Sequence, residues 1–247
     1  MPEISKVGVP NGKWIEELQI FADQTEIANI HWIEYCKWLK ENAPNEYLAA
    51  LPDTTVWADF SKEYLTHYYS YSGFRFFPVV GISYQQAQKF CQWRSKIINE
   101  ANKMRKPKGI YKDYDVEITY RLPTEKEWTV MAQAQNQDAH GFAPLAGKYR
   151  RMYPKDYPRA NTKRERNTEK ALITEFIFVY SPNIFGIYNI IGNVSEMVQE
   201  EGVGKGGSWA HTLEESAIAQ RQTYTTPTNW LGFRCVATVK LTPKAKL

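Results

Sequence analysis

Nothing in this sequence approaches the run of about 18 apolar residues that a membrane-crossing helix needs, so no segment reads as a span. The N-terminus, MPEISKVGVPNGKW, lacks both the apolar stretch of a secretory signal and a lipidation cysteine. That leaves a cytoplasmic protein, or a mature chain whose export signal has been removed. Cysteine is scarce, and Cys36, Cys91 and Cys235 lie far apart with no CxxC pair, which gives no zinc or dithiol motif by spacing. The histidines His31, His67, His140 and His211 include no HxxxH-type pair. A facial triad of two histidines and a carboxylate would have to be assembled from distant loops. Gly-rich phosphate loops, Walker motifs and the G-x-S-x-G elbow are all missing, so nucleotide and serine-triad chemistry find no support.

What is present is a chain of 247 residues, 43% apolar, with eight Trp, sixteen Tyr and eleven Phe, enough for a sizeable core. The formal net charge of +4 is modest for this length and does not imply a nucleic-acid partner. The charge is uneven. Residues 148–170, KYRRMYPKDYPRANTKRERNTEK, hold nine Lys or Arg against three Asp or Glu. Without apolar periodicity this segment reads as a long solvated loop, the alternative being a docking surface for an acidic partner.

Helical spacing of Trp32, Ile33, Cys36 and Leu39 predicts a helix from Asn29 to Asn42. PVVGIS reads as a short buried strand. Ser83 and Gln86 then form a capping box that opens a helix running to about Ala101, with Arg94 at the edge of its apolar face and snorkelling outward. VEITYRL reads as a strand, and Thr124 with Glu127 as a second capping box opening a short helix to about Gln135. SAIAQRQTY and LGFRCVATVK alternate like paired strands. Gly186, Gly192, Gly206 and Gly207 stand where loops turn tightly or backbones approach closely. Trp128, Trp209 and Phe233 read as core aromatics, and Arg121 and Arg234 as loop anchors held by buried hydrogen bonds. The pattern predicts one α+β domain with much irregular loop structure, 21–247, behind an N-terminal extension, 1–20.

Taken in order, FADQTEIANIHWIEY, PVVGISYQQAQKFCQWRS, RLPTEKEW, FGIYNIIGNVSEM, GKGGSW and LGFRC resemble the formylglycine-generating enzyme (sulfatase-modifying factor) family, a branch of the C-type-lectin-like fold. ALPDTTVW, CQWRSKIINE and SPNIFGIYNIIGNVSE are similar to the gliding-motility and type IX secretion lipoproteins of Bacteroidetes within it. The resemblance implies a structural calcium site in YNIIGNVSE, formed by the Asn189 side chain, the Gly192 and Val194 carbonyls and the Glu196 carboxylate. Oxygen ligands from a tight turn suit a hard divalent cation. A second family calcium site would use Asn161 and Thr162, but its remaining part has no counterpart, and that site is not expected. Position in the family also implies a Cys91–Cys235 disulfide, which would close a loop of about 144 residues and contribute roughly 4–5 kcal/mol in the chain-entropy model. Such a bond needs an oxidising compartment. Cys36, on a helix face, would stay reduced.

Catalytic members of the family place two copper(I)-binding cysteines third and eighth after a Gly-Gly-Ser serine. Counted from Ser208, those positions hold His211 and Ser216. Copper(I) wants soft thiolates, so no copper site and no formylglycine-generating activity are expected. The resemblance therefore implies a non-catalytic, calcium-stabilised scaffold that binds protein partners of the cell envelope. The Tyr-rich YLTHYYSYSGFRFF and the basic loop are its candidate surfaces, and its expected location is the periplasm or the outer membrane. The alternative is a diverged metal-dependent oxidoreductase using the cleft near His211. Carbohydrate binding rests on lectin analogy alone.

Overall fold

The computed structural model describes residues 2–105, 109–133, 160–163 and 173–245. Most of the basic segment 148–170, and with it the proposed basic docking loop, lies outside the described residues, as does His140. The described elements run β1 (Gly12–Ile15), β2 (Ile20–Asp23), α1 (Asn29–Asn42), α2 (Pro44–Tyr47), α3 (Lys62–His67), α4 (Tyr84–Arg105), β3 (Tyr114–Arg121) and α5 (Glu125–Ala132). After them come β4 (Ser195–Met197), β5 (Val203–Lys205), β6 (Gln222–Thr223), β7 (Leu231–Gly232) and β8 (Val236–Pro243). The mixture of helices, short strands and long irregular stretches is the α+β architecture expected.

Two sheets organise the domain. The first has the order β1-β2-β8-β3, and β8 pairs antiparallel with β3 along its whole length, from Val236 opposite Arg121 to Pro243 opposite Tyr114. The stretch read as an N-terminal extension supplies β1 to this sheet, paired with β2, and buries Val7 and Val9. β3 is an edge strand, and its exposed backbone groups are met by polar side chains of α4. Asn99 accepts from the Ile118 N–H and donates to the Ile118 carbonyl, at 2.9 and 2.8 Å, while Ser95 accepts from the Tyr120 N–H at 2.8 Å. Covering an edge this way satisfies it and blocks further strand addition. The second sheet, β6-β5-β4-β7, is small and carries one parallel pair, β4 with β7.

Helix α1 has the expected bounds but presents a slightly rotated face. Trp32, Tyr35, Cys36 and Leu39 are buried, whereas Ile33 is 47% exposed. Tyr35 takes the inward position because it meets Trp32, Phe90 and Trp93, all within 5.5 Å between ring centroids. Both capping boxes form. Ser83 and Gln86 exchange bonds at the start of α4, and Thr124 with Glu127 does so at the start of α5, where Glu127 also holds Arg121 through two contacts of 2.6 Å.

Four expectations are corrected. PVVGIS forms no strand: Pro78 makes only an isolated bridge to Ala28, and Gly81 at φ +67° turns the chain against the Asp53 carbonyl. Of SAIAQRQTY only Gln222–Thr223 pairs, because the residues before it close local turns such as Gln220 N–H to the Ala217 carbonyl. Arg94 does not snorkel outward but makes a two-pronged contact with buried Asp23, at 2.5 and 2.9 Å, over the Tyr120 ring. Part of the Tyr-rich stretch faces inward as well. Tyr68 is fully buried beside Trp57, Val80 and Val194, its hydroxyl bound to the Pro78 carbonyl at 2.7 Å, while Tyr71 remains exposed.

Candidate functional site

The residues expected to bind calcium lie in the loop between the described segment starting at 173 and β4. That loop needs left-handed backbone at Asn189, Gly192 and Asn193, with φ of 49°, 80° and 63°. Asparagine tolerates this region better than most residues. At 192 only glycine fits, since a Cβ there would sit 2.6 Å from the Asn161 carbonyl oxygen. The loop is pinned by Asn193 N–H to the Asn161 carbonyl at 2.7 Å and by Gly192 N–H to the Gly206 carbonyl at 2.8 Å.

The loop closes over a buried polar centre. Glu196 on β4 and Arg234, just before β8, are both essentially inaccessible and form a two-pronged ion pair. Glu196 Oε2 accepts from Arg234 Nε at 2.6 Å and from the Trp128 indole N–H at 2.8 Å, and Oε1 accepts from Arg234 Nη2. The remaining Arg234 donors reach the Asp23 and Tyr188 carbonyls at 3.1 and 2.9 Å. Glu26, between β2 and α1, brings a second carboxylate. Its Oε1 accepts from Asn193 Nδ2 at 2.9 Å and its Oε2 from Asn189 Nδ2 at 3.3 Å. Burial pushes the Glu26 carboxyl up to about 8, with Arg234 pulling it down and Glu196 pushing it further up. Two carboxylates thus share one guanidinium, and the centre carries spare negative charge whenever both are ionised.

Does this donor set suit calcium? Its atoms are oxygens, as a hard cation requires. Asn189 Oδ1 is buried and has no hydrogen-bond partner among the described residues, a cost that a bound cation would remove. Glu196 has three of its roughly four acceptor positions taken by Arg234 and Trp128, which leaves one on Oε1. By donor type the set fits the ion, and Glu196 would join it with its charge already offset by Arg234. Asn161 Oδ1, in the second segment considered, is also buried without a partner.

Cys91 on α4 and Cys235 before β8 are buried thiols with their sulfurs 3.4 Å apart. Cys235 N–H donates to Asp23 Oδ2 at 3.1 Å, so the Arg94–Asp23 pair braces the strand that carries this thiol. Burial holds the Cys235 thiol well above its ordinary range. Cys36 stands apart under Ala50, its thiol pushed up to about 11 by burial, which leaves it unreactive.

His211 and Ser216 lie in the irregular segment between β5 and β6. Ser208 Oγ is 2.7 Å from His211 Nδ1 and accepts from the Ala210 N–H at 3.1 Å. Ser216 Oγ donates to the Thr212 carbonyl at 2.7 Å. Gly207, at φ +65°, packs so closely on Ser216 that a Cβ would meet Ser216 Oγ at 1.9 Å. His211 stands edge-on to Trp230 at 4.9 Å and lines a cavity of about 460 Å³ with Glu214, Glu215, Arg221 and Trp230. Burial holds the His211 imidazole below its ordinary value, so it is neutral at pH 7. Arg221 is committed to Glu125 through contacts of 2.7 and 2.5 Å, and Glu125 also meets buried Lys205 at 3.3 Å. Ser208 and Ser216 are both fully buried, so neither hydroxyl is presented to a substrate in this cleft.

Sequence reasoning passed over Glu26 and Asn193. The available signal for Glu26 was an acid between the apolar residues Ile20–Ala22 and Ile27–Ala28, preceding a helix whose start it does not cap.

The family model described as a sulfatase-modifying factor enzyme 1-like domain matches residues 4–239. Among curated relatives, the chain is 24% identical over 180 residues to the inactive C-alpha-formylglycine-generating enzyme 2 of Bos taurus, covering 65% of this chain and 50% of that protein. It is 24% identical over 192 residues to the formylglycine-generating enzyme of Mus musculus, covering 65% and 44%. The chain therefore spans about half the length of the curated relatives it matches. Among solved structures, CarF superposes with a TM-score of 0.58 at 20% identity over 95% of this chain and 94% of that one. Treponema denticola variable protein 1 gives 0.54 at 18%, over 89% and 84%, and PvdO from Pseudomonas aeruginosa gives 0.53 at 16%, over 89% and 80%. These likenesses share the fold, and the family match extends over nearly the whole sequence: the chain belongs to the sulfatase-modifying factor enzyme 1-like domain family.

Proposed function

We propose that this protein is a non-catalytic member of its family, a calcium-stabilised scaffold that binds protein partners in a cell-envelope assembly of the gliding-motility or type IX secretion kind. The observation that carries the reading is the state of the cleft. The positions that hold thiols in catalytic members are occupied by His211, bound to Ser208, and by Ser216, bound to the Thr212 carbonyl. Among the described residues no group of three or more His, Cys, Asp or Glu could hold a metal ion there. A curated relative that itself bears the name of an inactive enzyme is in keeping with this reading.

Calcium belongs to the buried loop, held by Asn189 Oδ1, the Gly192 and Val194 carbonyls and Glu196, where it ties the loop to β4. The Cys91–Cys235 bond forms in an oxidising compartment and joins α4 to the last strand, which agrees with a periplasmic or outer-membrane location. Among the described residues no helix is long and apolar enough to cross a membrane. Alkylation without reductant followed by peptide mapping checks the bond: Cys36 alone should react in unfolded protein. The competing reading, a diverged metal-dependent oxidoreductase, keeps one support, the neutral His211 imidazole lining an open cavity beside two carboxylates. Oxygen uptake decides between them. Protein supplied with copper(I) or iron(II) and a cysteine-bearing peptide should consume oxygen no faster than the metal alone. Protein-dependent uptake that disappears in His211→Ala would overturn the scaffold.

A further inference from the structure

The Asn189 amide has a defined orientation, and something must hold it. Its Nδ2 faces two acceptors, Glu26 Oε2 and the Phe176 carbonyl, each at 3.3 Å, while its Oδ1 is buried without a partner. Turned over, the amide would press its oxygen against those two acceptors, so Glu26 keeps Oδ1 directed away from itself. Glu26 also reaches the other end of the loop, where Oε1 accepts from Asn193 Nδ2 at 2.9 Å. Asn193 is itself locked, because its Oδ1 accepts from the Glu175 N–H at 2.7 Å. Glu196 cannot do this work, since its oxygens are engaged by Arg234 and Trp128.

We propose that Glu26 is the positioning residue of the calcium site: it does not bind the cation itself but fixes the Asn189 amide so that Oδ1 is offered to the ion. The inference rests on the calcium reading above. Outer partners of this kind govern metal affinity because they set ligand direction before the ion arrives. Glutamine at 26 makes the distinction sharp. It has one oxygen where glutamate has two, so its amide nitrogen must face either Asn193 or Asn189. Asn193 is pinned by Glu175, so the new N–H₂ faces the Asn189 Nδ2, donor against donor, and of the two acceptors that held the Asn189 amide only the Phe176 carbonyl is left.

The test is calorimetric titration of calcium chloride into chelator-stripped protein at pH 9, where the Glu26 carboxyl is ionised. Wild type should bind calcium, and Glu26→Gln should bind it roughly ten-fold or more weakly. Adding Asn189→Asp to that variant should restore binding, because a carboxylate offers an oxygen in either orientation. A merely structural role for Glu26 would not be rescued in this way. Glu26→Gln binding as tightly as wild type, or a loss that Asn189→Asp does not restore, overturns the inference alone. A wild type that takes up no calcium removes the calcium reading and the inference with it. Should Glu26→Gln not fold, the Asn189 side-chain amide of wild type is followed by NMR, assigned by its disappearance in Asn189→Asp. Calcium should shift its carbonyl carbon while the Nδ2 protons stay protected from exchange. Nδ2 protons that begin to exchange when calcium is added would overturn the proposal.

Discussion

The buried centre around Arg234 and the cleft around His211 lie close in sequence and are built on opposite principles. In the centre, the bonds join distant parts of the chain: Glu26 with Asn193 across 167 positions, Arg234 with the Asp23 carbonyl across 211, and Cys235 with Asp23 across 212. In the cleft, the side-chain bonds of His211 and Ser216 are local, spanning three positions for Ser208 with His211 and four for Ser216 with Thr212, while Arg221 at the rim reaches 96 positions to Glu125. Long-range bonds in a dry interior depend on the whole fold and in turn hold it, so a change there spreads. Local bonds shape one loop and let its residues be exchanged with less disturbance of the rest. Substitutions should therefore cost more in the centre than in the cleft.

The largest expected effect breaks the centre. Arg234→Met removes the one guanidinium among the described residues in contact with Glu196 and strands that carboxylate, fully buried, beside Glu26. Breaking a buried pair by removing one partner costs about 3–5 kcal/mol, because the charge left behind is uncompensated. Urea unfolding of the metal-free protein should show a loss of that size. A loss below about 1 kcal/mol would mean that the pair does not hold the centre together.

The sequence carried unequal amounts of these two regions. Helix α1 and both capping boxes were legible because their information is local: a 3.6-residue period, and Ser or Thr three positions before Gln or Glu. Residues 189, 192, 194 and 196 could be placed through family resemblance, and the left-handed backbone of the loop gave them a physical reason. Glu26 and Asn193 were not legible as members of the same centre. Their contact crosses 167 positions and leaves no spacing to read. Arg94 was misplaced for the same cause: its position on the edge of α4 suggested solvent, and only the sheet brings Asp23 beneath it. PVVGIS looked like a strand by composition, but Pro78 cannot donate to a ladder and Gly81 bends away.

Two glycines sharpen the comparison at intermediate size. Both Gly192 and Gly207 adopt left-handed backbone, so alanine at either costs about 1–2 kcal/mol before any collision. Gly192→Ala drives its Cβ into the Asn161 backbone, at 2.6 Å, inside the long-range network. Gly207→Ala drives its Cβ into Ser216, at 1.9 Å from Oγ, a closer approach on paper. The Ser216 Cα also lies 2.6 Å from that Cβ, so relief there means moving the backbone of a loop closed by local bonds, whereas moving the Asn161 carbonyl breaks its bond to the Asn193 N–H inside the long-range network. Gly192→Ala should therefore lower the thermal midpoint more than Gly207→Ala despite the milder contact. The reverse order would show that the cleft loop is as rigid as the centre.

The smallest effect belongs to His211, and pH makes it visible. His211→Gln loses the bond to Ser208, worth about 0.5–1.5 kcal/mol, and should unfold slightly earlier in urea at pH 8. Burial holds the folded imidazole below the ordinary 6.5. As pH falls below about 6.5, the unfolded chain takes up a proton at this position that the folded chain resists, so wild type loses stability. The glutamine variant has no such proton to bind. Its deficit should accordingly shrink between pH 8 and pH 5, and His31, also held low by burial, cancels because both proteins carry it. A deficit that stays constant with pH would mean that the folded cleft leaves the imidazole as free to protonate as water does. The cleft would then be wetter, and less like the centre, than its contacts with Ser208 and Trp230 indicate.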